Sequence, residues 1–228
     1  MSASQLGRLD EADKLTSRLK PSSRFSMRLT KIVCVGRNYV DHAKELGNEV
    51  PKEPLIFLKP PSSVIGDGQP IRLPKLSKQV EYEGEIGIII GERLTNATQD
   101  QARAAIAAIA AVNDVTARDL QKSDSQWTRA KGFDTFCPVG IPNEPPNDLG
   151  SLQVVTRVNG MERQRGTASQ MAFSIPMVLS YISKVMTLEA GDLVLTGTPA
   201  GVGTLSPGDV VEVEVEGVSR VSNPVVAG

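Results

Sequence analysis

Glu83 and Glu85 lie two residues apart in Glu81-Tyr82-Glu83-Gly84-Glu85, directly ahead of the apolar run Ile86-Gly87-Ile88-Ile89-Ile90. In a strand, side chains at i and i+2 point to the same face, so the two carboxylates converge on one spot. Bare carboxylates placed together repel each other and resist desolvation unless a cation lies between them. A hard divalent metal is the simplest such partner; a strand with a solvated acidic face is the alternative. His42 is the only histidine, and Cys34 and Cys137 are far apart in the chain, so a zinc-type His/Cys cluster is not on offer. A metal here takes oxygen ligands, which points to Mg²⁺, Mn²⁺ or Ca²⁺. Asp114, within Val112-Asn113-Asp114-Val115, is a candidate third ligand on which spacing alone carries little weight.

The elements that must position these groups read as β-rich. Lys31-Ile32-Val33-Cys34-Val35, ended by Gly36, has the β-branched run of a buried strand, and a short helix carrying His42 follows it. Residues 51–74 are rich in proline and glycine around the brief strand Leu55-Ile56-Phe57-Leu58. Residues 98–111 are alanine-rich with Ile106 and Ile109 three apart, which predicts a surface helix with Asp100 in its first turn. Asn159-Gly160 between alternating segments predicts a hairpin with a type I′ turn, and Ile175 to Met186 a helix with Pro176 near its start. Glu212 and Glu214 also share a strand face, but strict alternation with valine describes a half-buried strand with a wet acidic side. Residues 122–128, containing Trp127, read as a lid or a plain surface loop.

Composition narrows the functional classes. Lys plus Arg total 25 and Asp plus Glu 26, interspersed, so the formal net charge of −1 gives no footprint for nucleic acid or an anionic membrane. No apolar stretch approaches the ~20 residues of a membrane span, and the N-terminus lacks a secretory apolar core, which predicts a cytoplasmic protein. The isolated cysteines fit buried thiols of a reducing compartment better than a disulfide. Residues 1–30 are polar, mixed in charge and poor in apolar periodicity, and read as an extension ahead of a domain spanning 31–228.

Gly36-Arg37-Asn38-Tyr39 with His42 and Glu45, then Glu83-Gly84-Glu85, residues 113–119, Lys131-Gly132-Phe133-Asp134 and residues 196–203 occur in one order. That order resembles the fumarylacetoacetate hydrolase (FAH) superfamily, most closely its acylpyruvate hydrolase and oxaloacetate decarboxylase branch, from about Lys31 to near the C-terminus. The resemblance implies an α+β, mainly β fold, the family's rolled mixed β-sandwich, assembled as a homodimer. It makes Glu83, Glu85 and Asp114 ligands of Mg²⁺ or Mn²⁺. A further ligand of longer family members falls near Val35, which leaves a coordination position open. His42 and Glu45 match the family's catalytic dyad on a segment that orders when substrate binds. Lys131 matches a catalytic and substrate-holding position, and Arg118, Gln121 and Thr198 match residues that hold substrate oxygens.

The implied reaction is hydrolysis of an acylpyruvate to pyruvate and a carboxylic acid, with oxaloacetate decarboxylation feasible at the same centre. A metal that chelates the carboxylate and keto oxygens of a 2-oxo acid stabilises the charge released when the adjacent carbon–carbon bond breaks. His42, oriented by Glu45 three residues on in a helix, takes a proton from water, and Lys131 adds fixed positive charge. The glycine-rich stretch 196–203 lacks the Gly-Lys-Ser/Thr ending of a phosphate loop and is expected to turn backbone N–H groups toward a substrate carboxylate. Two rivals stand beside this reading: a 2-hydroxyhepta-2,4-diene-1,7-dioate isomerase or decarboxylase, and a non-catalytic domain merely stabilised by metal.

Overall fold

Period-2 alternation decides the architecture, because several strands carry apolar residues on both faces and so must lie between two cores. The computed structural model describes residues 28–228 apart from positions 46, 48 and 50; the predicted extension up to residue 27 lies outside the described residues, as does part of the loop after His42. In the first half come β1 (Ile32–Gly36), α1 (Val40–Glu45), β2 (Leu55–Lys59), β3 (Val64–Ile65), β4 (Ile71–Leu73), β5 (Val80–Tyr82), β6 (Gly84–Ile90) and α2 (Gln99–Ala104). Then follow β7 (Ile106–Asn113), β8 (Thr116–Ala117), α3 (Arg118–Ser123), α4 (Thr128–Lys131) and β9 (Cys137–Pro138). The last part holds β10 (Gln153–Val158), β11 (Met161–Thr167), α5 (Ile175–Val185), β12 (Leu193–Leu195), β13 (Gly203–Thr204), β14 (Val210–Val215) and β15 (Ser219–Ala227).

Two five-stranded mixed sheets form the body, in the orders β2-β1-β12-β6-β7 and β11-β10-β14-β15-β4. Ile86, Ile88 and Ile90 of β6 pack with Val33 and Val35 of β1, with Val213 and Val215 of the second sheet, and with Val178, Leu179 and Ile182 of α5. The opposite face of the first sheet, through Ile32, Cys34, Ile89, Ala108, Ala110 and Val112, fills a second core. This is the mainly β sandwich that the family resemblance implies. The hairpin forms at Asn159 (φ 53°) and Gly160 (φ 77°), and α5 carries Pro176 in its first turn. Both cysteines are free and buried. Burial raises both thiols, Cys137 to about 12, so they stay protonated packing groups. No helix among the described residues is long and apolar enough to cross a membrane.

One predicted element is corrected. The helix expected over 98–111 stops after Ala104: Thr98 caps it in a capping box with Gln101, and the chain turns at Ala105. Residues Ile106–Asn113 are a strand paired antiparallel along β6. Alanine favours helix intrinsically, but here tertiary packing overrides that weak preference. A Cβ on Gly87 would lie 2.4 Å from Val112 Cγ2, and one on Gly91 would lie 2.9 Å from Ala107 Cβ, so β6 and β7 approach through small residues. At the other end, Leu29 is buried, and Thr30 N and Oγ1 donate to Asp192 Oδ1 at 3.1 and 2.6 Å, so the anchored chain begins ahead of Lys31.

Candidate metal and substrate site

The first sheet brings the three carboxylates together by register. Gly84 pairs with Asn113 and Glu85 with Val112, and the ladder continues as Asp114 N–H donates to Glu83 O at 2.8 Å. Glu83 and Asp114 are therefore cross-strand neighbours, and Glu85 sits one pleat along on the same face. One oxygen of each lies within 4.8 Å of the others, and all three residues are buried. The intervening residue must be glycine: a Cβ on Gly84 would stand 1.9 Å from Thr156 Oγ1, which belongs to the second sheet closing over β6.

Three buried cations answer this cluster. Lys131 Nζ donates to Glu83 Oε2 at 2.8 Å and Asp114 Oδ2 at 2.6 Å. Lys59 Nζ donates to Asp114 Oδ1 at 2.7 Å and to Val115 O at 3.1 Å. Arg118, at the start of α3, donates through Nε to Glu81 Oε2 at 2.7 Å and through its two Nη atoms to Glu83 and Gln121. Against four carboxylates (Glu81, Glu83, Glu85, Asp114) these three cations leave one negative charge unbalanced. Glu85 carries the deficit: among the described residues it has no ion-pair partner, and its Oε2 accepts only the Gly197 N–H at 2.6 Å.

The protonation of the pair follows from that difference. Burial alone would raise Glu83, but Lys131 and Arg118 beside it hold its carboxyl well below the usual range. Burial raises Glu85, the Asp114 and Glu83 charges raise it further, and Lys131 and the Gly197 N–H only partly offset them. The cluster therefore fits a hard divalent cation on its own chemistry: three convergent, buried, all-oxygen donors, one of them without a compensating cation.

The other sequence-predicted residues gather at the same place. His42, Arg118, Gln121, Lys131 and Thr198 line a cavity of ≈340 Å³ with the three carboxylates, alongside Val35, Phe57 and Trp127. His42 is buried on α1, and its Nδ1 lies 3.2 Å from Glu45 Oε2, as the three-residue spacing predicts. Asn38 fixes the approach to α1: its Nδ2 donates to Phe173 O and Thr196 O at 3.1 and 2.8 Å, and its Oδ1 accepts from Phe173 N at 2.8 Å. Thr198 Oγ1 donates to Gly84 O at 2.9 Å and accepts from Gln164 Nε2 at 2.7 Å. From the candidate lid, Trp127 stands edge-on to Phe57 at 5.2 Å and forms one wall.

The glycine-rich stretch is used differently from the expectation. Gly197 N–H serves Glu85, and Gly201 N–H donates to Glu45 Oε1 at 3.0 Å, so both bind the protein's own carboxylates instead of facing a ligand. Gly197 does this at φ 98°, a conformation open to glycine. Glu212 and Glu214 pair with Arg157 at 3.1 and 2.8 Å on a half-buried face away from the cavity. Sequence reasoning missed Lys59 and Glu81. Glu81 had a readable signal, since it continues the i, i+2 series of Glu83 and Glu85; Lys59 only ends an apolar strand ahead of Pro60.

The family model described as Fumarylacetoacetate (FAA) hydrolase C-terminal matches residues 31–226. The mitochondrial oxaloacetate decarboxylase of Dictyostelium discoideum is 45% identical over 195 residues, 82% of this chain and 89% of that one. The mitochondrial oxaloacetate tautomerase of Rattus norvegicus is 43% identical over 205 residues, 87% and 93% of the two chains. The crystal structure of fumarylpyruvate hydrolase from Pseudomonas aeruginosa in complex with Mn²⁺ and pyruvate has a TM-score of 0.84 at 29% identity, covering 91% of this chain and 94% of that one.

Proposed function

This chain belongs to the fumarylacetoacetate (FAA) hydrolase family, and from that premise we propose that it is a metal-dependent acylpyruvate hydrolase acting on 2,4-dioxo acids, with oxaloacetate decarboxylation as a second reaction of the same centre. One observation carries the reading: a convergent carboxylate triad, a buried lysine and His42, whose Nδ1 is held by Glu45, all border one ≈340 Å³ cavity. Relatives named for oxaloacetate decarboxylation and oxaloacetate tautomerisation, and a fold neighbour holding Mn²⁺ and pyruvate, all handle small 2-oxo acids.

Glu83, Glu85 and Asp114 would hold the divalent ion, Mg²⁺ or Mn²⁺, which when bound supplies two-point attachment for a 2-oxo acid and withdraws charge from its keto group. The chain's own residues do the rest. Glu45 accepts from His42 Nδ1–H and fixes the ring, which leaves Nε2 to take a proton from water as that water attacks the distal carbonyl. Two of the three Lys131 ammonium donors are used by Glu83 and Asp114, and the third faces charge developing on the pyruvate fragment. Gln121 spends its carbonyl oxygen on Arg118, so its amide N–H groups remain for substrate oxygen. Decarboxylation of oxaloacetate needs no attacking water and so dispenses with the base.

The test is chelation followed by add-back. EDTA treatment should abolish turnover of a panel of 2,4-dioxo acids and oxaloacetate, and Mg²⁺ or Mn²⁺ should restore it. Chelation that lowers the melting temperature while no panel member is ever turned over would favour a metal-stabilised domain without catalysis.

A further inference from the structure

We propose that Gln164 is a positioning residue of the metal centre: its side-chain amide, reaching over from the second sheet, holds in place the peptide between ligands Glu83 and Glu85. This rests on the metal site of the function proposed above and adds a residue to it. In the sequence Gln164 looks like surface, since Met161-Glu162-Arg163-Gln164-Arg165 is polar on both sides of it. In the fold it is only 1% exposed. Its Oε1 accepts the Gly84 N–H at 2.9 Å, and Nε2 donates to Thr198 Oγ1 at 2.7 Å and Pro199 O at 2.8 Å. Thr198 Oγ1 then donates to Gly84 O at 2.9 Å, which closes a ring of hydrogen bonds around one residue. The amide has a single orientation here, because a backbone N–H can only donate and a proline carbonyl can only accept.

Gly84 depends on these partners because β6 runs on past its neighbour. Successive residues of a strand turn their backbone groups to opposite edges. Glu83 O is bonded to Asp114 N on the β7 side, so Gly84 N–H and O face the β12 side. There β12 pairs with β6 only at Gly87, Ile88 and Ile89; Thr196 N–H still reaches Ile86 O at 3.3 Å, and the chain turns off at Gly197. Gln164 and Thr198 stand in for the strand that is missing at Gly84. Buried backbone groups without partners are costly, so loss of Gln164 would let this peptide turn and carry the carboxylates on either side of it out of register.

The second sheet is shaped to deliver the amide. Thr156 faces Gln164 in the β10–β11 register, and the register slips directly afterwards, leaving Arg163 as an extra residue on β11. Bulges of this kind re-aim the adjoining side chain and gather beside active sites. Arg163 O also seats Gly201, on which a Cβ would stand 2.1 Å away, and Gly201 N–H is a donor to Glu45. Thr156 supplies the contrast: its Oγ1 lies against Gly84 yet has no hydrogen-bond partner among the described residues. The second sheet therefore touches Gly84 by packing through Thr156 and by hydrogen bonding through Gln164. Only the latter is directional enough to set the peptide's orientation.

The test is titration calorimetry of Mn²⁺ into the full-length, EDTA-stripped protein, with thermal denaturation of the same metal-free samples. Gln164→Met keeps most of the buried volume and removes all three hydrogen bonds of the amide; it should bind Mn²⁺ about 10- to 100-fold more weakly than wild type, the usual scale for partners that orient metal ligands. Thr156→Ala opens space against the same glycine and breaks no hydrogen bond, so it should lower the melting temperature and leave Mn²⁺ affinity at the wild-type value. Gln164→Asn draws the amide back by one carbon and keeps the position polar; it should weaken Mn²⁺ in the same direction, and it carries the test if the methionine variant does not fold. Unchanged affinity in the Gln164 variants, or an equal loss in Thr156→Ala, overturns the inference and leaves the proposed function standing. A wild type that binds no Mn²⁺ removes the metal reading of the site and the inference with it.

Discussion

Replacing Lys131 by methionine isolates what its ammonium does for the carboxylate cluster, because methionine keeps most of the buried volume. In the metal-free protein Lys131 is the one cation that bridges two candidate ligands, Glu83 and Asp114, at 2.8 and 2.6 Å, and only 2% of it is exposed. Its removal takes the cluster from one unbalanced negative charge to two among largely desolvated side chains. Breaking a buried ion pair from one side costs about 3–5 kcal/mol. At ~2–4 °C per kcal/mol for a chain of this size, the metal-free variant should melt roughly 6–20 °C below the metal-free wild type. A divalent ion supplies two positive charges to the same carboxylates, so the loss should shrink to less than half when Mn²⁺ is present. The assay is thermal denaturation followed by circular dichroism, with EDTA and with saturating Mn²⁺. Equal losses in both conditions would refute the reasoning, since Lys131 would then act through packing and not as a counter-ion of the metal ligands.

Two further outcomes follow from the site. His42→Ala should slow hydrolysis of a 2,4-dioxo acid about 10²- to 10⁴-fold and spare much of the oxaloacetate decarboxylation, measured as pyruvate release from each; equal loss of both would sink the separate role of the base. The pH dependence turns on Glu85, which burial and the neighbouring Asp114 and Glu83 charges raise above the ordinary 4.5. A carboxyl raised in the folded state binds more protons than in the unfolded chain. Its contribution to stability is therefore full below about 4.5 and is lost as pH climbs through the folded value. A divalent ion must displace that proton, so metal affinity and the metal-induced rise in melting temperature should grow with pH across this window. Calorimetry in buffers of different ionisation enthalpy should register proton release on binding, and none released would contradict the assignment.

What the sequence determined by itself was local. The i, i+2 spacing of Glu83 and Glu85 put two carboxylates on one face, the three-residue step from His42 to Glu45 put ring and carboxylate in contact, and Asn159-Gly160 specified its turn. A single histidine and two scattered cysteines confined any metal to oxygen ligands. Each of these follows from backbone periodicity or from residue type, which act over a few positions and need no knowledge of the rest of the chain.

Tertiary structure decided the remainder. The alanine run 106–113 has a helical composition, and only the glycine-lined surface of β6 makes it a strand and so sets Asp114 opposite Glu83. Lys59 enters the site from a strand 55 residues away from Asp114, and Gly197 brings its N–H to Glu85 across 112. Such contacts depend on which strands pair and in what register, and register is fixed by cores and turns distributed over the whole chain. The feature most telling for metal, that Glu85 alone of the buried carboxylates among the described residues lacks a cation, exists only once the other charges have been folded into place.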